Sequence, residues 1–161
     1  MSKVQGVPNG FRTLTPHLVI KGALEATEFY KDVFHAEEIG RMLTPERRLM
    51  HLELKIGDSM LFICEETPSM NCKGPASLGG TPVTIHVFVE DVDAVFSRAV
   101  KAGATVTMPV NNMFWGDRYG QFIDPFGHIW GVATRIENLT PEEIKTRQDA
   151  FFARMVEAAH A

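Results

Sequence analysis

Apolar positions along the chain fall into one pattern written twice. From His17, "HLVIKGALEATEFYKDVFHAEE" opens with an apolar run of strand length, and Ala26, Phe29, Tyr30, Val33 and Phe34 then recur at helical spacing. From His86, "HVFVEDVDAVFSRAVKAGATVT" repeats this, with Val92, Val95, Phe96, Ala99 and Val100 at i, i+3, i+4, i+7 and i+8. Each helix therefore carries one apolar stripe. The second halves match as well. "RLMHLELKIGDSMLFI" from Arg48 and "RYGQFIDPFGHIWGVA" from Arg118 each set a glycine nine residues after the arginine, at Gly57 and Gly127. "IGDS" and "DPFG" read as turns in which Gly supplies a positive φ and Pro125 presets one. His17 and His86 are 69 residues apart, and Gly57 and Gly127 are 70 apart. An offset that holds across a whole strand–helix–strands unit marks an internal repeat.

Each copy predicts a strand, a helix and three further strands, the first of these near "EEIGRML" and "TVTMPV". The Gly-, Pro- and Ser-rich "ETPSMNCKGPASLGGTP" predicts a connector. Thr140 with Glu143 forms a capping box and Pro141 suits the first helical position, so a C-terminal helix is expected from Pro141 to Ala159. The implied segments are a tail (1–12), a first module (13–66), a linker (67–81), a second module (82–136) and the C-terminal helix (137–161). Neither module can bury a four-stranded sheet alone. The expected fold is α+β: two tandem βαβββ modules forming a curled mixed sheet around a central cavity, with helices outside and one structural domain overall. The cavity is a natural ligand site.

Composition narrows the partners. The chain is 45% apolar and 22% charged, as soluble globular proteins are. A formal charge of -4 gives no footprint for nucleic acid, and no basic run suits a membrane surface. The N-terminus has no signal-peptide core, and no apolar run reaches the roughly 18 residues needed to span a bilayer. A cytoplasmic protein is expected. Cys64 and Cys72 show no C-x-x-C spacing and predict a buried thiol and a loop thiol.

Aromatic residues gather in "NNMFWGDRYGQFIDPFGHIWGVA", from Asn111 to Ala133. Phe122 and Trp130 read as core. Trp115, Arg118 and Tyr119 read as a ligand-binding wall. The Arg118 fork suits a carboxylate or phosphate, and the rings suit a flat or apolar ligand. The alternative for Arg118 is a salt bridge to Asp117 or Asp124. His128, after a turn glycine, is expected to be exposed. His35 and His160 belong to no pattern. No Ser-His or Cys-His pair and no phosphate-cradling loop is present, so the catalytic residues are unknown.

"FYKDVF", "VEDVDAVFSRAVKAGA" and "DPFGHIW" resemble the vicinal oxygen chelate superfamily of glyoxalase I, fosfomycin and bleomycin resistance proteins and extradiol dioxygenases. "GGTPVTIHVFVEDVDAVF" and "MFWGDRYGQFIDPFGHIW" are similar to its PhnB-like branch. The resemblance runs from Thr13 to Ile136. It implies paired βαβββ modules, a homodimer and a small-molecule ligand. It also implies a divalent metal (Zn, Ni, Mn or Fe) held by His or Glu from the first and last strand of each module. Matched by spacing, those slots fall on Thr15, Thr84, Gly131 and Leu61, or Ile63 if the strand is shifted by two. Such a set does not hold a catalytic metal, so the usual tetrad is not retained.

His17 and His86 lie two residues beyond Thr15 and Thr84, on the same strand faces. They are candidate metal ligands, with His51, Glu53 or Glu65 as a third. Otherwise they line a polar cavity. His51 and Glu53 share a face, either toward the site or toward solvent from an edge strand. Three functions follow: a lyase or dioxygenase of the metal-dependent kind, a metal-free small-ligand binding or sequestering protein, or an assembly role for the C-terminal helix.

Overall fold

The computed structural model describes residues 4–159, so His160 lies outside the described residues. The first module comprises β1 (His17–Ile20), α1 (Ala23–Phe34), β2 (Glu37–Leu43), β3 (Leu49–Ile56) and β4 (Ser59–Glu65). A 3-10 turn (Pro68–Met70) and a single-turn helix, α2 (Pro75–Leu78), occupy the connector. The second module repeats the order with β5 (Thr84–Phe88), α3 (Val92–Lys101), β6 (Thr105–Asn112), β7 (Asp117–Ile123) and β8 (Ile129–Arg135). Each module forms its own mixed sheet, ordered β1-β4-β3-β2 and β5-β8-β7-β6. The first and last strands pair in parallel. This is the expected α+β repeat, built as two sheets. Gly57 and Gly127 take φ of 59° and 93° in the hairpin turns. The C-terminal helix α4 (Pro141–Ala159) opens on the capping box, with Thr140 N donating to Glu143 Oε2 and Glu143 N donating to Thr140 Oγ1.

The helical stripes bury as their spacing demands. α1 buries Ala26, Phe29, Tyr30, Val33 and Phe34, and α3 buries Val92, Val95, Phe96 and Ala99, whereas Val100, expected in the same stripe, is exposed one residue before the end of α3. The helices do not simply coat the outside. They touch each other, and α1 also reaches the second sheet, where the Phe34 ring lies 4.6 Å from Trp130 and Tyr30 lies 5.2 Å from it. Two large rings on one helix face extend past their own sheet, so a single core serves both modules. Strand alternation then turns His17, His86 and Phe88 to the opposite faces, where all three are exposed.

Asp124 of "DPFGH" locks the modules together. Its buried carboxylate accepts from the Tyr30 hydroxyl (2.7 Å), Trp130 Nε1 (2.9 Å) and the backbone N–H groups of Phe126 and His128. His128 itself is buried, not exposed as expected, and its Nε2 lies 3.3 Å from the Val19 carbonyl. The turn directs its ring across the boundary onto β1. Burial lowers its pKa from the ordinary 6.5, against the pull of Asp124. As pH falls through 6.5 the unfolded chain takes the proton first, so stability present above that pH is lost below it. His17, lowered by burial and by His51, acts in the same direction. Urea midpoints should fall from pH 7.5 to 5.5, and the fall should shrink in His128→Asn. An unchanged slope in that variant would remove His128 from the account.

Candidate functional site

Residues next to each other on a strand point to opposite faces, and β7 divides the predicted wall accordingly. Arg118 turns toward α3. Its Nε and Nη2 donate to Asp93 at 2.6 and 2.7 Å, and Nη1 donates to Asn112 at 3.0 Å. Its partner is thus neither Asp117 nor Asp124. Asp93 holds the guanidinium above its ordinary pKa. Asp117 is buried beside Arg135, with Oδ1 2.8 Å from Nε, although the two are not aligned as a hydrogen bond.

Tyr119 turns the other way. Its ring stacks on His86 at 5.6 Å with only 5° between planes. Phe88 (4.7 Å from His86) and Trp115 (6.2 Å from Tyr119) extend this row. Phe114 continues it from Trp115 at 4.9 Å to Phe151 of α4 at 5.3 Å. Gln121 Nε2 lies 3.5 Å from the Tyr119 hydroxyl. The stack depends on Gly131, which pairs with His86 on one side and Gln121 on the other. A Cβ at Gly131 would lie 2.8 Å from the Tyr119 hydroxyl and 3.3 Å from His86 Nδ1. Tyr119 therefore lies diagonally over β8, in the space a side chain at 131 would need.

The first sheet carries a counterpart. On its open face His17, Phe62 and His51 cluster, with ring centroids 4.7–6.0 Å apart. His51 Nε2 lies 3.6 Å from Glu53 Oε1. β3 lies between β2 and β4, so the edge-strand placement of these two residues is not what the sheet adopts. The strand register pairs His17 with Phe62 and His86 with Gly131. Phe62 is therefore the counterpart of Gly131. Leu61 and Ile63, the expected slots, are buried against the helices, because a slip of one residue exchanges the faces.

His17 and His86 stand on different sheets, each among its own neighbours. Among the described residues no three His, Cys, Asp or Glu side chains form a group able to hold a metal ion. The residues in the implied slots do not fit one either: Thr15, Thr84 and Phe62 offer no strong ligand, and Tyr119 closes the slot at Gly131.

A cavity of about 1040 Å³ lies at the seam between the modules. Pro16 and Leu61 line it from the first module, and Ile85, His86, Val87 and Arg135 from the second. Of the five residues singled out from sequence, only His86 lines it. A cavity between the modules was expected from sequence, but most of its lining, the Asp93 partner and the purpose of Gly131 were not. A glycine inside an otherwise apolar strand was the available signal for the last.

No helix is long and apolar enough to cross a membrane among the described residues. An uncharacterized protein of Mycobacterium bovis is 45% identical over 136 residues, covering 82% of this chain and 89% of that one. The fold is similar to fosfomycin resistance protein FosX from Listeria monocytogenes, whose structure holds Mn(II) and sulfate (TM-score 0.60, 21% identity, 85% of this chain and 97% of that one). It is also similar to a PhnB protein from Bacillus cereus (TM-score 0.57, 17% identity, 76% and 99%). The sequence pattern of one family matches residues 16–132, both modules together. The chain belongs to the Glyoxalase/Bleomycin resistance protein/Dioxygenase superfamily.

Proposed function

We propose that this chain is a PhnB-like member of the superfamily that binds a small flat molecule without a metal. The observation that carries this reading is Gly131. Where the family's metal ligand would project, the backbone is bare and the Tyr119 ring lies across it against His86. Trp115 and Phe88 widen that aromatic platform, and the Tyr119 hydroxyl, Gln121 amide and His86 imidazole supply hydrogen bonds at its centre. The seam cavity opens beside it at His86 and has room for a drug-sized ligand. In this reading Trp115 and Tyr119 touch the ligand, Arg118 braces β7 against α3, and His17 and His86 are polar wall rather than metal ligands.

The test is elemental analysis of the purified protein, with melting curves in EDTA and after adding zinc, nickel, manganese or iron. Substoichiometric metal and unchanged melting are expected. A near-stoichiometric metal whose removal lowers the melting temperature would overturn the reading in favour of a metal-dependent lyase or dioxygenase. A panel of aromatic carboxylates, followed by tryptophan fluorescence, then addresses the platform. Tyr119→Ala should weaken any binder roughly tenfold or more.

The same proposal includes a cytoplasmic setting and a homodimer. Met42, Phe88 and Met108 expose apolar surface that a second copy would cover. Sedimentation should give twice the 18.0 kDa chain mass.

A further inference from the structure

The seam cavity is lined by a cation that the fold leaves without a counter-charge. Arg98 of α3 reaches across to the last turn of α1, where its Nε and Nη2 donate to the Val33 carbonyl at 3.0 and 2.9 Å. That clasp suits the negative end of a helix. It engages two of the five N–H groups of the guanidinium, and among the described residues no acceptor takes the others. Two further arginines line the cavity and differ from it. Arg12 pairs with Asp58 at 3.5 Å and Arg135 with Asp117 at 2.8 Å, whereas Arg98 pairs with no carboxylate among the described residues. Arg98 is half-buried, so solvent screens its charge less than that of a surface side chain. His35, which ends α1 two residues after Val33, lines the same cavity and brings a ring N–H. Much of the remaining wall is apolar. Phe34, Leu61, Val95 and Trp130 line it from the buried core, and Ile85 and Val87 line it half-buried from β5. Thr134 also lines it, but its hydroxyl is already engaged: it accepts from Val92 N and donates to the Val89 carbonyl, at 2.9 Å each.

We propose, resting on the small-ligand reading above, that the seam compartment binds an alkyl monocarboxylate of the medium-chain fatty acid class, with its carboxylate on Arg98 and its chain against Phe34, Ile85, Val87 and Trp130. The Val33 carbonyl fixes the arginine fork before a ligand arrives, so little side-chain freedom is lost on binding. Burial of the chain against the apolar wall supplies affinity, and the uncompensated charge supplies the preference for an acid over an alcohol. Glu90 and Asp91 also line the cavity, and the Asp91 carboxylate is engaged in capping α3, where it accepts from Ala94 N at 3.0 Å. Their negative charge favours a singly charged carboxylate over a phosphate dianion. Both modules build the compartment, Phe34 and Leu61 from the first and Ile85 and Arg98 from the second, so it exists only when the two are packed together.

The experiment titrates the full-length protein with octanoate and with 1-octanol by calorimetry. Octanoate should bind the wild type at least about tenfold tighter than octanol. Arg98→Gln keeps an amide donor for the Val33 carbonyl and removes the charge, so the two ligands should then bind about equally. That ratio compares two ligands on one protein, so a general loss of stability does not imitate it. A crystal structure of the wild type with 8-bromooctanoate should place the carboxylate at hydrogen-bond distance from Arg98, a readout that does not need the variant to fold. No octanoate binding, equal affinity for acid and alcohol in the wild type, a preference that survives in Arg98→Gln, or a carboxylate seated away from Arg98 would each overturn the proposal. 2-Naphthol, flat and without a chain, separates this outcome from the aromatic platform. Its binding, weakened by Tyr119→Ala, beside a failure of octanoate would overturn the seam assignment and leave the platform reading standing. Failure of both would overturn both.

Discussion

Asp124→Ala is expected to lower the unfolding free energy by about 3–5 kcal/mol, the usual cost of stripping one side from a buried charged network. For a chain of this length that is a fall of roughly 10 °C in melting temperature. Asp124 receives four donors, two from backbone and two from the rings of Tyr30 and Trp130. Removing the carboxylate leaves those donors unpaired inside the core, where water cannot reach them. Tyr30 is the telling partner because it comes from the other module. Burial first, and the charge of Asp124 second, raise its pKa well above the ordinary tyrosine value, so the hydroxyl stays a donor. Tyr30→Phe alone should cost about 2 kcal/mol. The double variant should cost clearly less than the sum, because the two changes remove one shared bond. Chemical denaturation of the four proteins measures this directly. Additive costs, or a cost under about 1 kcal/mol for Asp124→Ala, would mean that the carboxylate is not the lock between modules.

Gly116→Ala is expected to cost about 2–4 kcal/mol, through backbone strain and crowding together. Gly116 sits at φ +92°, where an L side chain is strained, and a Cβ there would lie 2.8 Å from the Glu137 carbonyl and 3.3 Å from Leu139. Its own carbonyl accepts from Ile136 N and Glu137 N at 3.0 Å each, which fixes the chain that leads into α4. Gly79 supplies the control. It has φ +80°, but a Cβ there would meet nothing within 4 Å. Gly79→Ala should therefore cost only about 1 kcal/mol, the conformational share. Equal losses at the two positions would show that crowding by the 137–139 segment contributes nothing. The pair of variants also decides what the glycine in "FWGDRYG" is for. In this structure it seats the approach to α4, packed against the Glu137 carbonyl and Leu139.

Helical spacing at Ala26 to Phe34 and at Val92 to Ala99 is legible because each stripe repeats over two turns, and burial follows that periodicity up to Val100, which is exposed at the end of α3. The capping box at Thr140 and Glu143, and the turn glycines Gly57 and Gly127, are legible because their chemistry is local. Arg118 is harder. Nearby sequence offers Asp117 and Asp124 as partners, whereas Asp93 lies on a helix that only the packing of α3 against β7 brings within reach. His128 departs from expectation for the same kind of reason: a position after a turn glycine is often exposed, but this turn faces β1 of the other module. The copy-one slot moves from Leu61 to Phe62 because the spacing of two hairpins differs by one residue, and one residue on a strand is a change of face.

By itself, the sequence determined the repeated βαβββ unit, the C-terminal helix and the family, since each rests on short-range periodicity or on motif strings. Only the tertiary structure decided which side of each sheet meets the helices, that Tyr30 and Asp124 join the modules, and that Tyr119 occupies the space over Gly131. Those outcomes depend on contacts between residues far apart along the chain, Tyr30 and Asp124 being 94 positions apart. Such contacts are fixed by how two separately patterned faces fit, and a pattern along one chain carries no measure of that fit.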